Sequence, residues 1–259
     1  MDVFVAHIDA PRLSNLHIIF FNKIDFDTPQ LSQFISRTPR LNAPDHAHVI
    51  FHHDNVMIRF LSWTFGHPEL YVEISCSGSD WQLSSLTQVC ALCLPPPSTV
   101  EILCIEHLLS PCGWKNGIED AQWLDFLRPF NGAKSLHLPR KFAPGVGSSL
   151  KELTGDRITE VLPALQNIFA DGLQGYPLQK SQEFKGIEQF VDARRLSGHP
   201  ITISLEGDPL GDLDQTRGGV GVFPPAASHG CVFIFMHIPH RDTPHSIRTT
   251  IVLIHTVTT

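Results

Sequence analysis

The sequence predicts an α/β fold built as a β/α solenoid, with strands side by side in a parallel sheet and a helix joining each to the next. Three observations predict it. Strand-like and helix-like segments alternate along most of the chain, five strands recur at a nearly constant step, and similar words enter two of them. Let the reference in each strand be the residue between two inward apolar side chains. Those residues are Tyr71, Cys104, His137, Phe169 and Thr202, at intervals of 33, 33, 32 and 33. Parallel strands linked by one helix each produce such a step. The competing reading is an ordinary α/β domain whose units happen to be even in length.

Each element has a local reason. Residues 16–21 are an apolar, strand-like run, and 28–36 follow as a short helix with Thr28 at its cap and Pro29 in its first turn. Residues 48–52 and 56–61 alternate in polarity around His53-Asp54-Asn55, which predicts an inserted β-hairpin near 48–61. The insertion explains why the first strand, at His17, stands 54 residues before Tyr71, one period plus about 21. Residues 70–76 form the next strand. The helix over 80–93 puts Leu83, Leu86, Val89, Cys90 and Cys93 on one face, and the prolines at 95–97 stop it. Three further rounds follow: strand 99–106 and helix 121–130, strand 134–138 and a helical stretch 147–162 broken near Gly155, strand 166–172 and helix 182–196. The last helix turns Phe184, Ile187, Phe190 and Val191 inward, and strand 201–205 closes the series.

The repeat has a degenerate signature. Pro11-Arg12-Leu13-Ser14-Asn15-Leu16 and Pro163-Ala164-Leu165-Gln166-Asn167-Ile168 are two copies of P-x-L-x-N-[LI] entering a strand. Leu-x-x-Leu-x-Leu is the leucine-rich-repeat pattern, here at a period longer than the ~20–29 residues of regular repeats. The reading is therefore an irregular leucine-rich-repeat-like solenoid over 1–205. Residues 206–259 form a Gly/Pro/His-rich tail outside the repeat, expected to be irregular. Its apolar runs at 231–238 and 251–254, if ordered, are expected to pair as a hairpin or to add to the last strand.

Composition excludes several function classes. Charge is -7, from 19 basic and 26 acidic residues, and no Lys/Arg run stands out, which argues against nucleic acid and anionic membrane surfaces as partners. The start carries no signal-peptide pattern, and no stretch approaches the ~20 apolar residues of a spanning helix, so a cytoplasmic or nuclear protein is expected. The six cysteines lie scattered in apolar segments and read as reduced, buried hydrophobes.

Little in the chain points to chemistry. Gly218-Gly219-Val220-Gly221-Val222 lacks the lysine of a phosphate loop and reads as a linker. Cys90 and Cys93 form a C-x-x-C at the end of an amphipathic helix with no second ligand pair, which reads as core packing. Histidine is the one anomaly, at 15 residues. His46, His48 and His52 share parity in a strand-like stretch near Asp45 and Asp54, and His237, His240 and His245 cluster in the tail near Asp242. Alternate-residue histidines can hold a transition metal, yet surface histidines are the simpler reading. No catalytic, cofactor or metal site is assigned.

Several longer words resemble one family. Phe20-Phe21-Asn22-Lys23-Ile24-Asp25-Phe26-Asp27-Thr28-Pro29-Gln30-Leu31, Asp80-Trp81-Gln82-Leu83-Ser84-Ser85-Leu86, Trp123-Leu124-x-x-Leu127-Arg128-Pro129-Phe130 and Thr159-Glu160-Val161-Leu162-Pro163 occur in the order found in F-box or F-box-like proteins of mushroom-forming fungi, basidiomycetes. The resemblance runs to about Ser204. It implies an F-box that docks on a Skp-type adaptor of a cullin ubiquitin ligase, followed by irregular leucine-rich repeats that hold a target. The F-box pattern, roughly L-P-x-E-[LI]-L-x-x-I-F, is absent, since Met1 falls within the repeat region. The expected function is thus a non-catalytic protein-interaction module, the target-recognition part of a ubiquitin-ligase substrate receptor. Its partner is an unknown target protein, and the partner-binding sheet face is marked by Tyr71, Cys104, His137, Phe169 and Thr202. The rival readings are a histidine-rich metal-binding protein or metal-dependent enzyme, and a truncated, non-functional fragment.

Overall fold

A computed structural model of the chain describes residues 13, 15–21, 29–62, 69–75, 79–92, 97–107, 120–171, 184–204 and 231–237. The strands are β1 (Asn15–Phe21), β2 (His46–Phe51), β3 (Asn55–Leu61), β4 (Glu69–Ser75), β5 (Ile102–His107), β6 (Ser135–Pro139), β7 (Asn167–Asp171), β8 (Thr202–Ser204) and β9 (Cys231–His237). The helices are α1 (Pro29–Arg37), α2 (Ser79–Leu92), α3 (Asp120–Leu127), α4 (Ala143–Lys151) and α5 (Lys185–Leu196). Strands and helices follow the predicted order. The 147–162 stretch divides into α4 and a 3-10 turn at Gly155–Thr159, where Gly155 takes φ 56°. That left-handed value suits glycine and breaks the helix.

The fold is α/β with one open, mostly parallel sheet in the order β8-β7-β6-β5-β2-β3-β4-β1-β9. Strand alternation explains why the described helices cover only one of its faces. In β1, Leu16 and Ile18 are wholly buried and Asn15, His17 and Ile19 half-buried; β3 and β4 repeat that pattern along their whole length. The buried set forms one core with Leu31, Phe34 and Ile35 of α1, Leu83, Leu86 and Val89 of α2, Trp123 and Phe126 of α3, Val146 and Leu150 of α4, and Ile187 and Phe190 of α5. No described helix covers the other face. None is long and apolar enough to cross a membrane.

Strand order departs from the expected series in two places. His17 pairs in register with Tyr71, so β1 and β4 are neighbours. Tyr71 and Cys104, however, are not on adjacent strands, because the hairpin β2–β3 lies between β4 and β5 as part of the sheet. α1 carries the chain from β1 to β2, β3 returns antiparallel to β4, and α2 crosses to β5 on the far side of β2. The second departure is β9, which does not add to β8. It pairs in parallel with β1 at the opposite edge, Asn15 against Cys231 and Phe21 against His237. A one-sided sheet leaves that edge ready to pair with any apolar extended run. The run at 251–254 lies outside the described residues, as do 206–230.

From β5 onward the strand entries resemble one another in their backbone bonds. The Asp45 carbonyl accepts from the N–H groups of Glu101 and Ile102, Glu101 from Lys134 and Ser135, and Lys134 from Gln166 and Asn167. The entries of β5, β6 and β7 thus share one forked hydrogen bond, and Thr202 enters β8 with a single bond to the Gln166 carbonyl. α4 and α5 pack so closely that a Cβ on Gly186 would stand 2.5 Å from the carbonyl carbon and oxygen of Gly147. Backbone cannot rotate away as a side chain can. We expect Gly186→Ala to lower stability by about 1–3 kcal/mol or more, read as a shift of the urea midpoint. An unchanged midpoint would show that the two helices separate without loss.

Candidate functional site

The face that no described helix covers is the candidate site, because strand pairing lines side chains from separate strands across it. One row can be followed strand by strand: His17, Tyr71, Arg59, His48, Cys104, His137, Phe169 and Ser204. Of the face residues expected from sequence, Tyr71, Cys104, His137 and Phe169 lie in this row, with Arg59 and His48 between the first two. Thr202 is displaced by one strand pleat. It pairs with Asn167, keeps to the same face, and leaves Ser204 opposite Phe169. The repeat count alone could not set this register, since a shift of two residues preserves the face.

Within the row, rings stack in pairs. His17 lies 4.6 Å from Tyr71 between ring centroids, and His137 lies 4.4 Å from Phe169 at 10° between planes. Charged contacts tie the strands together. Arg59 Nε donates to Glu69 Oε1 at 2.8 Å, His48 Nε2 lies 2.9 Å from Glu106 Oε1, and Asn55 Nδ2 donates to Glu73 Oε1 at 2.9 Å. The Tyr71 hydroxyl donates to Glu73 Oε2 at 3.1 Å and touches Met57 Sδ. Arg59, Glu69, Glu73 and Glu106 are site residues that the repeat alignment missed. The alternation in 55–61 and 69–75 was the signal for the first three.

Burial and neighbours set the charge states. The His48 imidazole, by its contact, holds the Glu106 carboxyl below its ordinary value. Burial raises the Tyr71 phenol, and the Glu73 carboxylate raises it further. His17 is lowered, first by burial and then by Arg59, against the opposing pull of Glu69 and Glu73. His137 is lowered to about 4, by burial first and then by the neighbouring His46 and His48 imidazoles.

A lowered histidine pKa destabilises the protonated fold. Stability from neutral His137 is fully present above about pH 6.5 and drains away as pH falls towards 4. The loss is on the order of 3 kcal/mol, because one unit is worth about 1.4 kcal/mol and the side chain is buried. The stability difference between wild type and His137→Phe should therefore shift by about 2–3 kcal/mol in favour of the variant between pH 7 and pH 4. Chemical denaturation at both values measures it, and a constant difference would sink the argument.

The histidines singled out for metal binding are held apart. His46 Nδ1 lies 2.7 Å from Asp45 Oδ1, His48 faces Glu106, and His52 stands beyond the end of β2, where its carbonyl accepts from Gln82 Nε2. No group of three or more His, Cys, Asp or Glu side chains among the described residues is arranged to hold a metal ion. Cys90 is buried in α2, as expected. Cys93, Asp242 and the histidines at 240 and 245 lie outside the described residues, and His237 ends β9. Compared with known proteins, the chain matches no family model, no curated protein and no solved structure.

Proposed function

We propose that the chain is a non-catalytic protein-binding module that holds a target protein against the helix-free face of its sheet. The observation that carries this reading is the uninterrupted row from His17 to Phe169, in which seven consecutive strands each contribute one side chain to a single face. Half-buried rings and charged groups in such a row suit a protein partner, which gains from aromatic anchors ringed by polar contacts. On this reading β5 to β8 form an irregular leucine-rich-repeat-like solenoid, and the forked hydrogen bond shared by the entries of β5, β6 and β7 supports it. The likeness of the sequence to fungal F-box-like proteins narrows the role to target recognition for a ubiquitin ligase. These strands would then grip the target and leave adaptor docking to an F-box.

A photo-crosslinking amino acid placed at Phe169, or at Trp81 on the exposed surface of α2, tests the reading in an extract of the source cells. Trp81 is the control because it is 47% exposed on α2, a helix that packs on the opposite face of the sheet. The expected result is a defined protein crosslinked from 169, lost on Tyr71→Ala with His137→Ala, and absent from 81. Equal crosslinking from both positions would overturn the assignment of the face.

A further inference from the structure

One row further along the strands, the same face carries a pattern with a definite charge. Glu73, Met57, Ile50 and Glu106 stand opposite one another on β4, β3, β2 and β5. Ile50 is 6% exposed although it shares the outward parity of His46 and His48, so it forms an apolar floor beside Met57. Neither Glu73 nor Glu106 pairs with Lys or Arg among the described residues; Arg59, the cation of β3, is engaged by Glu69. Each Glu73 oxygen accepts one neutral donor, and an ionised carboxylate oxygen has a second site open. The Glu106 side chain is 38% exposed. In the preceding row, one strand beyond Glu106, buried His137 keeps Nδ1 without a hydrogen-bond partner.

We infer that this row binds an extended basic segment of the partner, with two Lys or Arg side chains on Glu73 and Glu106 and an apolar side chain between them on Met57 and Ile50. Distance selects the spacing. Three strand steps of about 4.8 Å put the two carboxylates about 14 Å apart. An extended chain rises about 3.4 Å per residue, so positions i and i+4 are also about 14 Å apart and face the same side. The apolar residue then falls at i+2. This inference rests on the reading of the face as the binding surface, and it names the chemistry of the partner.

The test is calorimetric titration of the full chain with a capped peptide containing Lys-Thr-Leu-Thr-Lys. Controls are an isomer with the second lysine at i+3 and a peptide with Glu for both lysines. Binding is expected for the first peptide only, about tenfold weaker for Glu73→Gln with Glu106→Gln, and weaker again as salt rises. Both substitutions keep side-chain shape, and matching melting curves would confirm that the variant is folded. Equal binding by the double variant, equal binding of the i+3 isomer, or no binding by wild type would each overturn the inference. A partner crosslinked from Phe169 alongside a silent titration would remove the basic segment while leaving the binding face intact. Failure of both would remove the face as well.

Discussion

Replacing Arg194 by methionine is expected to lower stability by about 3–5 kcal/mol, a large part of the 5–15 kcal/mol typical of a domain. Arg194 sits in α5, is 1% exposed, and its guanidinium does the capping work of several backbone donors. Nη1 donates to the carbonyl of Ile158 at 3.2 Å, and Nη2 donates to those of Pro163 and Leu165 at 3.1 and 3.3 Å. These carbonyls belong to the irregular stretch before β7, where Leu162 takes the left-handed φ of 50°. Methionine fills much of the same volume but donates nothing, so buried acceptors go unpaired at about 1–3 kcal/mol each, not fully additive. Arg194→Lys should fall between, because an ammonium cannot reproduce the planar fork. Urea denaturation gives the magnitude. Faster amide exchange in β7 than in β5 would place the damage where the carbonyls are. A loss under 1 kcal/mol would mean that water replaces the guanidinium.

Trp123→Ala should cost a similar amount, about 3–5 kcal/mol, through a cavity rather than through unpaired polar groups. Trp123 of α3 is buried among Phe51 at 6.3 Å, Phe126 at 6.3 Å and Phe142 at 5.5 Å, between ring centroids. It joins three structural units, since Phe51 ends β2 and Phe142 precedes α4. The packing is close: a Cβ on Gly145 would lie 3.0 Å from Trp123 Nε1. An unfilled cavity loses the dispersion contacts of the rings that line it as well as the transfer free energy of the indole. Trp123→Phe should lose markedly less, since one ring still meets Phe51 and Phe142. Equal losses for the two variants would show that the site collapses around either residue.

Local chemistry made most elements readable before any fold was known. The alternation in 55–61 and the 3.6-residue stripe through Leu83, Leu86 and Val89 depend only on which way successive side chains point. Caps and breakers set the ends as plainly, with Pro29 opening α1 and Gly155 dividing the stretch after α4. The constant step also placed Cys104, His137 and Phe169 in true register, because equal crossovers return equal strands to equal heights. Thr202 slipped by two residues because three paired positions are too few to hold the last strand to the count.

The sequence by itself determined the elements, their order along the chain, and which side chains of each strand face the helices, since all of these follow from periods of 2 and 3.6 residues. Only the tertiary structure decided where the β2–β3 hairpin and β9 stand in the sheet. The crossovers through α1 and α2 each skip two strands, so the β2–β3 hairpin lies within the sheet, and β9 lies beside β1. No local signal encodes that choice, because it depends on where distant apolar faces find the largest shared core. The candidate face is therefore partly a tertiary property: β2, β3 and β4 follow one another along the chain, but Glu106 joins Glu73, Met57 and Ile50 in one row only because α2 carries the chain past two strands and sets β5 beside β2.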